Sequence, residues 1–258
     1  MKQNLFFNIT FAFLGGLLLL FIILPLLSIL LGTSLEEFLY AMSDPEVMRS
    51  IGLTFSAGAA ATLFALCTGV PLAYLLARRR FRGRPLLEAL VNLPIIIPHT
   101  AAGVALLLVF GRRGLLGQWL EPLGLTFTDN FGGIVIGMLF VSLPFLVNLS
   151  RESFALIDEE LERVALIDGA SPWQAFWFVS LPQAWRGVLA GALMMWARGI
   201  SEFGAVVILA YHPKIVPVLV FERFEGFGLN AAQPVAALLV FVALAVFIFL
   251  RLSLLKTE

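Results

Sequence analysis

Six stretches of this chain stay apolar for about the 20 residues that a helix needs to cross a bilayer core of roughly 30 Å. They are residues 5–31, 51–77, 86–110, 131–149, 188–210 and 231–252. The chain is 60% hydrophobic and only 13% charged, whereas a soluble domain carries about 25% charged residues. Lipid, not charge, must therefore cover its surface. The expected fold class is an all-α membrane protein with six transmembrane helices, and residues 1–258 form a single transmembrane domain. The first apolar run is longer than the roughly 7–15 residues of a signal-peptide core, and no A-x-A site follows it. It is expected to be a retained anchor.

Orientation follows from the basic residues of the short loops. RRRFRGR after the second span holds Arg78, Arg79, Arg80, Arg82 and Arg84, and this side is expected to be cytoplasmic. Six crossings then put both termini inside. Eleven basic residues fall on that side: these five with Lys2, Arg151, Arg163, Arg186, Arg251 and Lys256. Arg49, Arg112, Arg113, Lys214 and Arg223 fall outside, and Arg198 lies within the membrane. The Arg78–Arg84 run reads mainly as a topology signal that meets anionic lipid. Pro25, Pro71, Pro94, Pro98 and Pro144 lie in or beside spans, where each removes a backbone donor and bends its helix.

Seventeen basic residues balance seventeen acidic ones, so the basic field of a nucleic-acid binder is missing. None of the three lysines follows glycine, which excludes a phosphate-cradling G-x-x-x-x-G-K-[ST] loop. Two histidines, His99 and His212, form no H-E-x-x-H pattern, and Cys67 is the single cysteine, so no metal site or disulfide framework is implied. No G-x-S-x-G elbow is present. No catalytic residue and no cofactor are assigned. Transport or a scaffolding role remains.

Residues 151–187 form the one sizeable cytoplasmic segment. Asp158, Glu159 and Glu160 are an acidic helix start, Gly169 ends that helix, and Ser171 with Pro172 opens a second. The second helix is expected over Pro172–Val179, presenting Trp173, Phe176, Trp177 and Phe178 and ending at Leu181-Pro182. Two short angled helices with an aromatic knob read either as a plug for a partner's groove or as an interfacial helix resting on lipid headgroups. LERVALIDGASPWQAFWFVSLP resembles the cytoplasmic signature loop of the permease subunits of ABC importers. Gly169 takes the glycine place and Leu181-Pro182 the ending. Arg163 and Val164 stand where that family has Glu and Ala, Ala165 matches, and Glu162 precedes by one. The resemblance implies an ABC importer permease fold. It implies a coupling helix in which Gly169, Ala170, Ser171, Pro172, Trp173 and Phe176 contact a separate ATPase. Glu162, Ala165, Leu181 and Pro182 form the base of that loop.

Within the fifth span, WARGISEFGA (residues 196–205) carries Arg198 and Glu202, and an intramembrane charge costs at least about 2.5–3.5 kcal/mol. Four residues apart, they are expected one turn apart on one helix face. They form either a paired structural pin or a pathway site at which Arg198 offers charge to an anion. This segment, with PLAYLLARRRFRGR and LPIIIPHTAAGVALLLVFG, is similar to permeases of the molybdate, tungstate and sulfate group. The resemblance implies a pathway for tetrahedral dianions between two copies of this chain. It also implies two ATP-binding cassette ATPase subunits and an extracytoplasmic oxyanion-binding protein as partners. Donors suited to oxyanions are His99, Thr100, Asn92, Asn148, Ser142, Ser201 and Arg198. His99, after Pro98, is either a donor at a helix break or a group bonded to a neighbouring carbonyl. The alternatives are a sulfate or thiosulfate permease and an ATP-independent secondary transporter, although no internal repeat of the kind such transporters show is visible.

Overall fold

The computed structural model describes residues 2–255, and its regular elements are helices. Lys256, counted above with the inner basic residues, lies outside them. In chain order the helices are α1 (Lys2–Leu31), α2 (Leu35–Ser43), α3 (Pro45–Arg78), α4 (Arg84–Ile96), α5 (His99–Phe110), α6 (Gly117–Leu120), α7 (Phe131–Ala155), α8 (Glu159–Ile167), α9 (Pro172–Ala175), α10 (Leu181–Ile200), α11 (Gly204–Leu209), α12 (Val216–Phe227) and α13 (Leu229–Leu255). A π-helical turn, Phe176–Ser180, joins α9 to α10.

Among the described residues, four helices are long and apolar enough to cross a membrane: Leu5–Leu31, Pro45–Arg78, Phe131–Ala155 and Leu229–Phe249. The other two expected spans are broken. The 86–110 stretch is α4 and α5, bent by 115°. Pro98 explains the break, because it lacks an N–H and disfavours helical backbone at the residue before it. Ile97 is accordingly extended, with φ −75° and ψ 144°. The 188–210 stretch is α10 and α11, interrupted at Ser201–Phe203.

Two compact units divide the described chain, one reaching Ile51 and resuming at Leu219, the other running from Gly52 to Val218. In the first, α1 and α2 pack on α13, and Phe38 meets Phe241 edge-on at 5.7 Å. The most apolar stretch of α1 buries nothing within the chain, as expected of a helix whose solvent is lipid. Ser34 starts α2 with a reciprocal capping box to Glu37. At the start of α3, Asp44 accepts the Glu46 N–H at 2.8 Å and a 2.6 Å bond from Arg223, which also lies 3.5 Å from Glu46.

The second unit is built around α7, against which α4, α5, α10 and α11 pack. Asn130 caps α7 by accepting the Gly133 N–H at 2.9 Å. The core consists of Ile134, Met138, Leu146 and Phe154 from α7, Ala184, Val188 and Met195 from α10, and Ala57, Ala61 and Ala65 from α3. Alanines repeating every fourth residue let α3 approach closely, the way membrane helices gain packing where lipid removes the hydrophobic drive.

Burial works against ionisation of Asp44, but the Arg223 bond and the N–H groups of Glu46 and Val47 outweigh it and hold the carboxyl below its ordinary range. A depressed carboxylate stabilises the fold above its unfolded pKa and stops doing so as pH falls through the lowered value. Asp44→Asn keeps the cap and removes the charge. It should cost about 1 kcal/mol at pH 7, and the difference in Tm from wild type should close as thermal unfolding is repeated below the ordinary aspartate range.

Candidate functional site

The two breaks meet. Glu202 leaves the end of α10 and is 1% exposed. Its Oε1 accepts the Ala205 N–H at 2.8 Å, satisfying the first turn of α11, where a negative charge is also favourable to the helix dipole. Its Oε2 accepts Arg198 Nη2 at 2.9 Å and lies 2.8 Å from His99 Nδ1. Arg198 Nη2 is 2.8 Å from His99 Nδ1 and 3.0 Å from Nε2. Arg198, His99 and Glu202 thus form one polar cluster in which the ring nitrogens donate or accept according to the tautomer. Arg198 also donates to Ser201 Oγ at 3.3 Å.

Arg198 and Glu202 are therefore paired, but not along one continuous helix face as the spacing suggested. The chain turns between them, which frees the carboxylate to cap the next helix. His99 joins them because α5 starts directly after the Pro98 break. Gly204 makes this approach possible, since a Cβ there would lie 2.7 Å from His99 Cβ.

Of the other donors singled out, Ser142 is buried and bonds its own helix at Met138 O. Asn148 donates to Asn92 at 2.6 Å, and Asn92 to Glu88 O at 2.8 Å. Thr100 and Ser201 are exposed beside the His99 cluster.

The 151–187 loop forms a second polar site. Asp158 caps α8 through the Glu160 N–H at 3.0 Å. The helix ends in a Schellman arrangement, with Gly169 N–H to Leu166 O at 3.2 Å and Ala170 N–H to Ala165 O at 2.9 Å. Gly169 adopts φ +94°, a conformation that side chains disfavour. Ser171 and Gln174 then form a capping box on α9. Gly169, Ser171, Pro172 and Trp173 are exposed, and Trp173 keeps 68% of its surface.

Phe176 does not share that face. It is 8% exposed and packs on Tyr74 at 4.9 Å and Phe154 at 6.1 Å, so it anchors the knob from below. Nor does Leu181-Pro182 end the second helix. Helical backbone runs on from Pro172 to Ile200, and Pro182 sits in the first turn of α10, where its missing N–H costs little. The wider π turn before it takes up the mismatch.

Beneath the knob, Glu162 is held by four contacts. Oε1 accepts from Arg78 Nε at 2.8 Å and Ser180 Oγ at 2.7 Å, and lies 2.8 Å from Arg78 Nη2. Oε2 accepts from Tyr74 at 2.9 Å. Arg78 also donates to Ile157 O at 3.1 Å. The Arg78 and Glu162 side chains are 7% and 13% exposed. Sequence reading placed Arg78 with the topology run and overlooked Tyr74 and Ser180. The available signal was that Tyr74 and Arg78 stand four apart on the last turns of a span, facing one way. Arg79, Arg80 and Arg82 are exposed, whereas Arg84 and Arg151 both bond Glu88, at 2.9 and 2.8 Å.

Among the described residues the elements are helices, several long and apolar enough to cross a membrane and two expected spans broken, which is the make-up of a multi-pass membrane protein. The binding-protein-dependent transport system inner membrane component family matches residues 69–255, and the chain belongs to that family. It is the permease subunit, not the subunit that hydrolyses ATP. It is 44% identical to the molybdate/tungstate transport system permease protein WtpB of Pyrococcus furiosus, over 93% of this chain and 92% of that one. Identity to the WtpB of Methanocaldococcus jannaschii is 39%, covering 95% and 96%. Identity to the sulfate transport system permease protein CysT of Synechocystis sp. is 31%, covering 91% and 85%. A solved bacterial alginate ABC transporter in complex with its pentasaccharide-bound periplasmic protein shares the fold, with a TM-score of 0.76 at 16% identity over 96% and 93% of the two chains.

Arg198→Ala leaves the Glu202 carboxylate buried without its cation. Such a loss costs about 3–5 kcal/mol for a fully buried pair, and about half of that here because Arg198 keeps a quarter of its surface. Thermal unfolding in detergent should show the drop. The Arg198→Ala/Glu202→Gln double variant should recover most of it, because a glutamine carbonyl still caps Ala205.

Proposed function

We propose that this chain is the permease subunit of an ATP-driven importer of tetrahedral oxyanions, molybdate or tungstate. Two copies enclose the pathway, two ATPase chains bind on the cytoplasmic side, and an extracytoplasmic binding protein delivers the anion. The observation that carries this reading is the 44% identity to a molybdate/tungstate permease along 93% of the chain. The exposed knob supports the ATPase contact. A partner's groove can receive Gly169–Trp173 while Phe176 and Glu162 hold the knob rigid, which lets a rigid-body movement pass from one chain to the other. Length and composition support four spans, or five with the bent α4–α5 pair; taking α10–α11 as a further crossing, this reading puts both termini in the cytoplasm. Arg198, Ser201, His99 and Thr100 are then the pathway's polar groups at the level of the breaks.

A sulfate permease is the second reading, favoured by the 31% identity to CysT. Uptake into proteoliposomes holding the chain, its ATPase and its binding protein decides between them. Molybdate or tungstate should enter only with ATP, and excess sulfate should not compete. Competition by sulfate would move the assignment to the second reading, and uptake without ATP would overturn both. Gly169→Asp or Trp173→Ala should abolish co-purification of the ATPase while the chain still inserts in membranes. A retained complex would refute the docking assignment.

A further inference from the structure

Helix α8 buries none of its residues. Leu161, Val164, Leu166 and Ile167 are 47%, 52%, 43% and 83% exposed. Hydrophobic packing within the chain therefore does not fix this helix, although it leads directly into the Gly169 turn and the knob. A nine-residue helix is also too short to hold itself in water. What ties it to the bundle is polar. Glu162 projects from its middle and receives Arg78 and Tyr74 from α3 and Ser180 from the π turn.

We propose that Glu162, acting through Arg78, Tyr74 and Ser180, is the clamp that makes the 169–173 knob and helix α3 move as one body. These four are positioning residues for coupling, and the proposal rests on the docking reading given above. Three features carry it. First, the donors approach the carboxylate from two directions in the chain, α3 at Tyr74 and Arg78 and the π turn at Ser180, so a turn of α8 about its axis breaks bonds on one side or the other. Hydrogen bonds weaken steeply with misalignment, and those to an ionised group are the stronger ones.

Second, Ser180 joins both sides of the knob. Its Oγ donates to Glu162 Oε1 at 2.7 Å and lies 3.4 Å from Ala175 O. The π turn widens the helix at this point, so the backbone entering and leaving the knob is fastened to one carboxylate. Third, the aromatic floor is continuous with the clamp. Tyr74 bonds Glu162 by its hydroxyl while its ring packs on Phe154 at 5.3 Å and Phe176 at 4.9 Å. One side chain thus ties α8, the knob's anchor and α7 together. A push on the knob reaches α3 through short, directional, nearly dry contacts instead of dissipating in a loosely held helix.

The test uses the assembled transporter in proteoliposomes, with ATPase co-purification, ATP hydrolysis stimulated by the loaded binding protein, and anion uptake measured on the same preparation. Glu162→Gln should lower uptake per ATP hydrolysed about tenfold, the weight of one hydrogen bond to a charged group, in complexes that still contain the ATPase. Tyr74→Phe keeps the ring packing and removes one bond, so it should assemble normally and lower the ratio about threefold. The exchanged pair Arg78→Glu/Glu162→Arg should transport better per ATP than either single change. Wild-type uptake per ATP in Tyr74→Phe together with Glu162→Gln would overturn the clamp. If Glu162→Gln does not assemble, Tyr74→Phe alone decides. An ATPase that fails to associate with the unaltered chain would overturn the docking reading, and the clamp with it.

Discussion

A bilayer offers no hydrogen-bond partners, so every interruption of a helix inside it must be satisfied by the protein itself. This requirement accounts for the most conspicuous polar group of the chain. Once α10 stops at Ile200 and α11 restarts at Gly204, the first N–H groups of α11 need an acceptor. Glu202 supplies it to Ala205 and brings a negative charge into the core. Arg198 then neutralises that charge, and the His99 ring lies against it at 2.8 Å. The same rule acts at Val216, whose N–H is taken by Thr54 at 2.9 Å. Polarity at these breaks is first of all the repair of broken backbone, whereas Asn92 and Asn148 lie within continuous helices and bond each other.

The 151–187 loop meets the opposite difficulty. Its helix α8 is only nine residues long and buries none of its residues, a length at which isolated helices do not persist in water. Order comes from devices at the ends: the Asp158 cap, the Schellman turn at Gly169 and the Ser171–Gln174 box. Below them, the buried Phe176 ring and the partly buried Glu162 carboxylate fix the whole. A small number of strong, directional contacts replaces a hydrophobic core, and the outer face stays open for a partner.

Helix ends were legible in the sequence wherever a single residue type carries the signal. Asp158, Gly169 and Ser171-Pro172 lie where the capping rules placed them, because capping depends on one side chain and its next few amides. Long apolar runs likewise marked the spans that α1, α3, α7 and α13 provide. Breaks were harder to see. Hydropathy averages over a window and counts Ile97-Pro98 as apolar, yet proline's missing donor bends that span by 115°. The partners of Glu162 were invisible for another reason. They come from residues 74, 78 and 180, and only the packing of α3 against the loop brings them together. Arg78 also stands first in an arginine run of which Arg79, Arg80 and Arg82 are exposed, so its pairing was hidden among like neighbours.

Neutralisation at the break bears on how such a subunit treats its solute. On the proposed reading, a dianion reaching Arg198 would meet a guanidinium already bonded at 2.9 Å to a carboxylate that is itself fixed by a backbone amide. Binding there must compete with that carboxylate at close range, and like charges brought together in a medium of low dielectric repel strongly. A pathway built this way would hold an oxyanion weakly, which favours release over retention. Discrimination among anions of one shape and charge would then fall to the proposed binding protein, which can surround the anion with unpaired donors. Relatives named for molybdate and tungstate and relatives named for sulfate can therefore share this membrane framework, because the pairing that keeps the broken helices folded leaves little free charge with which to choose.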